Sequence, residues 1–234
     1  MKVMEIRLKV FLLQDIEKAQ TYTVIADYID SCMAKDENFL KFHKENRFKY
    51  YSFDQLYPIE KDGIYKKNHI YTVRIRTIRN ELAQYLAVKL ANHYNNQLKG
   101  LTREIRMIPQ KLITDIYTLT PVIIKGDNKG EGGYWKNFMS VEEFETRLKS
   151  NLYKKYNSIV QTNIDEDFEL YNSIEFLNHK PIGIPYKNIT LLGDKLNIKV
   201  ADNEMAQKIM YMSIATGILE NNARGAGFVN YRFL

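Results

Sequence analysis

The segment around His43 combines an imidazole with a cluster of cations. Four basic residues lie close to it in the sequence: Lys41, Lys44, Arg47 and Lys49. Because a histidine can exchange protons near neutral pH, this setting suits a general acid or base acting on a phosphodiester. The alternative is an ordinary solvent-exposed histidine in a loop. Both interpretations place His43 between a predicted helix and a predicted strand.

A glycine-rich loop joins the last predicted helix to the last predicted strand. It reads GILENNARGAGF (217–228) and contains Gly217, Gly225 and Gly227. Glycine lets a backbone turn tightly and approach a ligand closely. Exposed N–H groups together with Arg224 would then suit phosphate. The alternative is a left-handed helix cap at Gly217 followed by an ordinary turn.

A third candidate is the stretch 63–80, which contains no acidic residue but several cations: Lys66, Lys67, Arg74, Arg76 and Arg79. Arg74 and Arg76 project from the same face of a strand, since side chains alternate with a period of two. The absence of nearby carboxylates favours a track for phosphates. A solvated sheet face is the other interpretation.

Several common site types lack their motifs. The sequence has no P-loop, no GxGxxG after the first strand and no HExxH. Its four histidines are far apart, and none begins the H-x-[ST] pair of two-histidine phosphodiesterases: His43, His69, His93 and His179. Segment 126–133, GDNKGEGG, lacks the alternating carboxylates of a calcium loop and is predicted to be a mobile surface loop. We therefore expect neither a metal nor another cofactor.

Composition predicts a reducing compartment and no membrane span. Cys32 is the one cysteine, which excludes an internal disulfide and a Cys-rich zinc site. Charged residues interrupt the apolar residues near the start, and no apolar run approaches the roughly 18 residues of a transmembrane helix. A cytoplasmic location is expected.

The excess positive charge is confined to the first half of the chain. The 234 residues include 34 Lys/Arg and 28 Asp/Glu, a net charge of +6. Residues 1–117 contain 20 basic and 14 acidic residues, whereas 118–234 contain 14 of each. With 17 tyrosines besides, this composition favours a nucleic-acid partner, since cations neutralise phosphates and rings stack on bases. A mildly basic protein of another kind is the alternative.

Hydrophobic spacing predicts two successive βαββαβ units, the order of an α+β fold made of tandem ferredoxin-like (RRM-like) units. The first unit has predicted strands near 4–12, 48–56, 69–77 and 103–108, with helices near 15–34 and 81–94. The second has strands near 114–125, 167–177 and 227–234, one or two strands around a Gly-Asp turn in 189–201, and helices near 140–156 and 202–217. We divide the chain into 1–112, with the candidate catalytic histidine, and 113–234, with the glycine-rich loop.

Taken together, these features resemble the CRISPR-associated endoribonucleases that cut repeat RNA, members of the repeat-associated RNA-binding superfamily. The resemblance covers nearly the whole chain: its length, the tandem fold, a histidine just after the first helix and a terminal glycine loop. The segments that carry it best are 28–53, 118–124 and 217–233.

The resemblance implies metal-independent cleavage of CRISPR precursor RNA within the repeat. The 2′-hydroxyl attacks its own 3′-phosphate and leaves a 2′,3′-cyclic phosphate. Tyr28 and His43 match the family's tyrosine and histidine, although Tyr28 also fits simple core packing. The family's lysine is matched most nearly by Arg47, with Lys44 and Lys49 as neighbours. Arginine is a poor proton donor, so His43 would carry more of the proton transfer while Arg47 and Lys49 stabilise charge.

The resemblance also implies which residues hold RNA. These are Gly225, Gly227 and Arg224 in the glycine-rich loop, with Arg74 and Arg76 extending the track. Leu219 departs from the family pattern, because glycine is frequent at its place. The expected partner is CRISPR repeat RNA. Other CRISPR effector subunits and a second copy of the chain remain open as further partners.

Two other functions stay open. One is a non-catalytic RNA-binding subunit of a CRISPR effector complex on the same fold. The other is a ferredoxin-like domain that binds proteins or small molecules. RNA binding by the first would weaken with salt, with a logarithmic slope near −0.7 per phosphate contact, whereas the second would bind RNA weakly with little dependence on salt.

Overall fold

The first strand illustrates how residue alternation builds the sheet. Ile6, Leu8 and Val10 are buried, while Arg7 and Lys9 lie on the opposite face. This strand, β1, pairs antiparallel with a strand on each side and occupies a central place in its sheet. The buried face packs against helices and forms the core of the first unit.

The computed structural model describes residues 1–126, 133–161, 163–164, 168–186 and 189–234. The first unit comprises β1 (Val3–Leu12), β2 (Ile16–Glu17), α1 (Thr21–Met33), α2 (Glu37–Lys44), β3 (Tyr51–Phe53), β4 (Ile64–Tyr65), β5 (Ile70–Thr77), α3 (Asn80–Ala91) and β6 (Leu98–Ile108). Its main sheet has the order β3-β5-β1-β6, and the short strands β2 and β4 form a separate pair.

The second unit repeats the plan. It comprises β7 (Ile113–Thr118), α4 (Val141–Val160), β8 (Tyr171–Phe176), β9 (Ile182–Tyr186), β10 (Ile189–Gly193), β11 (Leu196–Val200), α5 (Glu204–Thr216) and β12 (Val229–Phe233). Its sheet has the order β12-β7-β11-β8, the same arrangement as in the first unit, and β9 pairs with β10 as an added hairpin. The predicted α+β class and tandem ferredoxin-like fold are confirmed.

Local sequence signals set the helix starts. Ser140 and Glu143 form a capping box at the start of α4, and Asn203 caps α5 through its side chain. The Asp36 carboxylate accepts hydrogen bonds from two backbone N–H groups at the start of α2. That short helix carries His43, so its cap helps to fix the position of the imidazole.

The two units pack closely along α5 and β12. The Ser52 hydroxyl of β3 donates a hydrogen bond to the carbonyl of Ala215, 2.9 Å away. The Arg76 guanidinium of β5 donates to the carbonyl of Val229 over 2.6 Å. In the described part of the chain, no helix has both the length and the apolar character needed to cross a bilayer.

Several predicted boundaries differ from the structure. The helix expected from residue 15 begins at Thr21, because Ile16 and Glu17 pair with β4 instead. The strand expected from residue 103 begins at Leu98, and the one expected to reach 125 ends at Thr118. The loop predicted at 126–133 falls outside the described residues except at its two ends.

Candidate active site

His43 lies in the last turn of α2, facing α1. Its Nδ1 is 3.2 Å from Oδ1 of Asp30, and 28% of its side chain is exposed. An acidic group beside one ring nitrogen orients the imidazole and leaves the other nitrogen, Nε2, for a substrate. The structure thus gives the predicted histidine an acidic neighbour that sequence reasoning missed.

Asp30 also joins His43 to the glycine-rich loop of the second unit. Its Oδ2 is 2.6 Å from a guanidinium nitrogen of Arg224. Burial alone would lower the pKa of Arg224, but the Asp30 carboxylate outweighs that effect and raises it. One carboxylate of the first unit therefore connects the histidine of α2 to an arginine of the second unit.

Lys49 closes the end of α2. Its Nζ donates hydrogen bonds to the carbonyl oxygens of Phe42, His43 and Glu45 at 2.7, 2.8 and 2.5 Å. Burial and the neighbouring charge of Arg47 lower its pKa. A cation at the C-terminal end of a helix is favourably placed against the helix dipole. Lys49 thus holds the backbone that carries His43.

Arg47 is the more exposed of the two predicted cations. Its Nε is 2.6 Å from Glu45, and 48% of its side chain is exposed. The guanidinium lies 5.0 Å from the centre of the Phe42 ring, a cation–π contact that also holds Arg79 at 4.8 Å. Arg47 keeps a surface on which a phosphate can approach.

Tyr28 is not brought together with His43. Its side chain is only 1% exposed, and its hydroxyl donates to the carbonyls of Leu90 and His93, at 2.7 and 2.8 Å. Burial raises its pKa well above the usual range. Residues two apart on a helix point about 200° apart, so Tyr28 and Asp30 face opposite ways. In the structure, Tyr28 is therefore a core-packing residue.

The glycines of the loop serve close packing. A Cβ on Gly225 would lie 2.6 Å from the Tyr22 ring, and one on Gly227 would lie 2.1 Å from the carbonyl oxygen of Ile218. The amide of Gly225 donates to Asn222, and that of Gly227 to Pro121. Neither amide is left for a phosphate, so these glycines shape the loop and Arg224 supplies the charge.

Arg74 and Arg76 both have acidic partners that lie outside the acid-free stretch. Arg76 is 1% exposed, and its Nε donates to Glu5 over 2.7 Å. Arg74 pairs with Asp54. Both guanidiniums lie against the Phe228 ring, at 5.5 and 4.6 Å for Arg74 and Arg76. Arg76 therefore joins the two units and is not presented to RNA, whereas Arg74 keeps a partly exposed side chain.

A cavity of about 590 Å³ opens between segment 46–51 and the glycine-rich loop. Its cationic lining residues come from both units: Arg47, Lys49, Lys125, Lys155 and Arg224. Glu220 is the acidic side chain in this lining, and it pairs with Arg147 over 2.7 Å. The cavity thus offers a predominantly positive environment next to the cluster of His43, Asp30 and Arg224.

A second cationic groove lies on the strands of the first unit. It has a volume of about 620 Å³ and is lined by Arg7, Lys9, Tyr57, Thr72, Arg74, Thr102, Arg103 and Glu104. Tyr57 is 63% exposed, which leaves a ring available for stacking. Sequence reasoning found Arg74 but missed the others, because they come from separate strands.

Several solved structures share this fold. One described as "CRISPR associated protein Cas6" has 21% identity and a TM-score of 0.67, covering 98% of this chain and 99% of its own. "An RAMP protein binding different RNA substrates" has 19% identity and a TM-score of 0.74 over the same shares. A Cas6-related protein from Pyrococcus furiosus has 17% identity and a TM-score of 0.68, covering 98% of each chain.

The sequence itself identifies the family. No curated protein sequence gives a significant match. The family model for "CRISPR associated protein Cas6, C-terminal" matches residues 103–231, more than half of the chain and including the whole glycine-rich loop. The resemblance found from the residues is thereby confirmed: the chain belongs to the CRISPR-associated Cas6 family.

Proposed function

We propose that this protein binds CRISPR repeat RNA and cleaves it within the repeat, without a metal, to give mature guide RNAs. The observation that carries the proposal is the cluster of His43, Asp30 and Arg224 beside a cavity lined by cations of both units. Family membership supplies the substrate class, and the cluster supplies the acid–base group and the positive charge that RNA cleavage needs.

In the proposed reaction the 2′-oxygen forms a bond to the adjacent phosphorus, and the bond from phosphorus to the 5′-oxygen breaks. The 2′-hydroxyl loses a proton, and the leaving 5′-oxygen gains one. His43 carries the proton transfer through Nε2, while Asp30 orients the ring through Nδ1. Arg47 and Arg224 stabilise the negative charge of the phosphorane. The products end in a 2′,3′-cyclic phosphate and a 5′-hydroxyl.

Arg224 can bind the phosphate while it stays paired with Asp30. In the structure it is paired with Asp30, and 33% of its side chain is exposed. A phosphate at the mouth of the cavity would share the guanidinium with Asp30, since arginine presents five donors in a fixed fork. Lys49 contributes by fixing the end of α2, as its amine is occupied by three carbonyls.

The test is a cleavage assay in EDTA with repeat RNA from an array encoded near the gene. A matched copy carries a single 2′-deoxy nucleotide at the cut site. We expect single-site cleavage of the first RNA, a 2′,3′-cyclic phosphate on its product, and no cleavage of the second. Cleavage of the deoxy copy would contradict 2′-hydroxyl attack.

A non-catalytic RNA-binding subunit is the second candidate function. The observations that favour it are the burial of Tyr28, which keeps the tyrosine of the family pattern away from His43, and the capping role of Lys49, which leaves the arginine Arg47 as the nearest match to the family's lysine. Tight binding of repeat RNA with no cleavage over many hours would select this function. The same RNA therefore separates the two candidates.

A further inference from the structure

Lys155 is a buried lysine whose amine contacts the glycine-rich loop. It lies on α4, and only 2% of it is exposed. Its Nζ donates hydrogen bonds to the carbonyl oxygens of Gly217 and Leu219, at 3.0 and 2.8 Å, and to Oδ1 of Asn222 at 2.7 Å. All three acceptors belong to one short stretch of the loop.

A buried ammonium is costly, so its retention calls for an explanation. Removing a charge from water is strongly unfavourable unless partners replace the solvent. Burial lowers the pKa of Lys155 to about 7, although the charge of Glu220 opposes this shift. The three acceptors match the three protons of an ammonium group. The loop thus uses the full donor capacity of Lys155.

The loop needs such a tie because its backbone is strained. Leu219 and Asn221 have φ angles of 55° and 59°, in the left-handed region that non-glycine residues rarely occupy. Such residues persist only where the surroundings hold them in place. Lys155 bonds directly to the carbonyl of Leu219, one of these two residues.

Asn222 connects Lys155 to two further positions of the loop. Its Oδ1 accepts from Lys155, while its Nδ2 donates to the carbonyls of Ile218 and Ala226, at 2.9 and 3.0 Å. Arg224 lies between Asn222 and Ala226 and points to Asp30. The amine of Lys155 and the guanidinium of Arg224 are therefore connected through a single folded loop.

We propose that Lys155 is a positioning residue for RNA cleavage, because its amine holds the glycine-rich loop in the conformation that places Arg224 against Asp30 beside His43. This inference rests on the proposed function. It assigns Lys155 no contact with RNA and no proton transfer, so its effect must act through Arg224.

A double-mutant cycle tests this dependence. Lys155→Met is expected to reduce the single-turnover cleavage rate about tenfold in the otherwise unchanged protein. In an Arg224→Ala background, the same substitution should cost less than about twofold, because coupled residues give non-additive losses. Lys154→Met is the matched control, since Lys154 is the exposed neighbour on the same helix. Full, independent losses from Lys155 and Arg224 would overturn the proposal.

Hydrogen exchange tests the loop without RNA. Lys155→Met should speed amide exchange in residues 217–227 and leave the sheet β3-β5-β1-β6 unchanged. Unchanged exchange in the loop would overturn the proposal. If Lys155→Met fails to fold, Asn222→Ala is used instead: it removes one of the three acceptors of Lys155 together with the bonds of Asn222 to Ile218 and Ala226. Both measurements are then made on that variant with the same expectations.

The two proposals fail in different ways. If the unchanged protein binds RNA but does not cleave it, cleavage is refuted and the cycle is measured on RNA affinity, where non-additivity supports positioning of Arg224 for binding. If the protein neither binds nor cleaves repeat RNA, the role of Lys155 in RNA cleavage is overturned as well. Faster loop exchange in Lys155→Met would then indicate a purely structural tie.

Discussion

Two ion-paired clusters lie where the units meet, and they use their arginines in opposite ways. Among the strands, Glu5 and Arg76 are both fully buried, and Arg76 also donates to Val229 of β12. Among the helices, Asp30 and Arg224 keep 18% and 33% of their side chains exposed beside the cavity. The first cluster is sealed, whereas the second opens to solvent.

The contrast teaches how to separate an arginine that is enclosed between the units from one that stays accessible from solvent. Both arginines were predicted to contact RNA, Arg76 because it lies in an acid-free stretch of sequence and Arg224 because it lies in the glycine-rich loop. Burial and the number of partners distinguish them. Arg76 is enclosed by Glu5, Val229 and the Phe228 ring, while Arg224 has one carboxylate partner and an exposed edge.

The largest expected effect falls on the open cluster. His43→Ala should slow cleavage by about 10²–10⁴-fold, the usual contribution of a general acid–base group. RNA binding should stay within a few-fold, because His43 supplies proton transfer and little of the contact surface. Single-turnover kinetics and a filter-binding titration measure the two quantities. Equal loss of cleavage and binding would contradict a catalytic role.

A substitution in the sealed cluster of Glu5 and Arg76 should lower the free energy of unfolding. Glu5→Gln leaves Arg76 buried without its carboxylate, and breaking one side of a buried ion pair costs about 3–5 kcal/mol. Urea unfolding measures this change in the free energy of unfolding. Glu104→Gln, an exposed residue on β6, serves as control and should change stability by less than about 0.5 kcal/mol. A small loss of stability in Glu5→Gln would contradict the assignment of Glu5 and Arg76 as a buried pair that differs from the solvent-exposed pair of Asp30 and Arg224.

A smaller effect is expected for Arg224. Arg224→Ala should weaken RNA binding about tenfold and reduce the logarithmic salt slope by about 0.7, the value for one phosphate contact with single-stranded RNA. Arg232→Ala is the matched control, because Arg232 is 65% exposed on the neighbouring strand β12. An unchanged salt slope in Arg224→Ala would place this arginine with the sealed cluster.

The stabilisation by the sealed cluster should also depend on pH. Burial alone would raise the pKa of Glu5, but Arg76, Arg7 and Arg106 outweigh it and lower the pKa from 4.5 to about 2. A lowered folded-state pKa means that Glu5 stabilises the fold fully above pH 4.5 and loses this contribution as the pH falls toward 2. The stability difference between the protein and Glu5→Gln should shrink over that window in urea titrations. A constant difference would contradict the ion-pair assignment.

Much of the fold follows from local sequence. Period-two alternation predicts the main strands, and the cap of α4 is legible from Ser140 and Glu143. The sequence 189–201 predicts one or two strands around a Gly-Asp turn, and the structure has two there, β10 and β11, which belong to different sheets. The strand β9, which pairs with β10, was not predicted. Local periodicity does not say which partner a strand will choose.

The candidate site was less predictable, because its contacts are long-range. His43 and Arg224 were found from their sequence context, but Asp30 was missed, since nothing nearby links it to Arg224 194 positions away. The burial of Arg76 was missed for the same reason, because its carboxylate partner, Glu5, lies 71 positions away in β1. A sequence shows where charges are, whereas the tertiary fold decides which of them are neutralised.

The link between Asp30 and Arg224 has a consequence for how the protein is made. Domains generally fold as units during synthesis, the N-terminal one first. The ribosome completes the first unit, with Asp30 and His43 in place, long before it adds Arg224. The cluster therefore assembles only after Arg224 has been added, and a nascent chain cannot display it until most of the second unit exists.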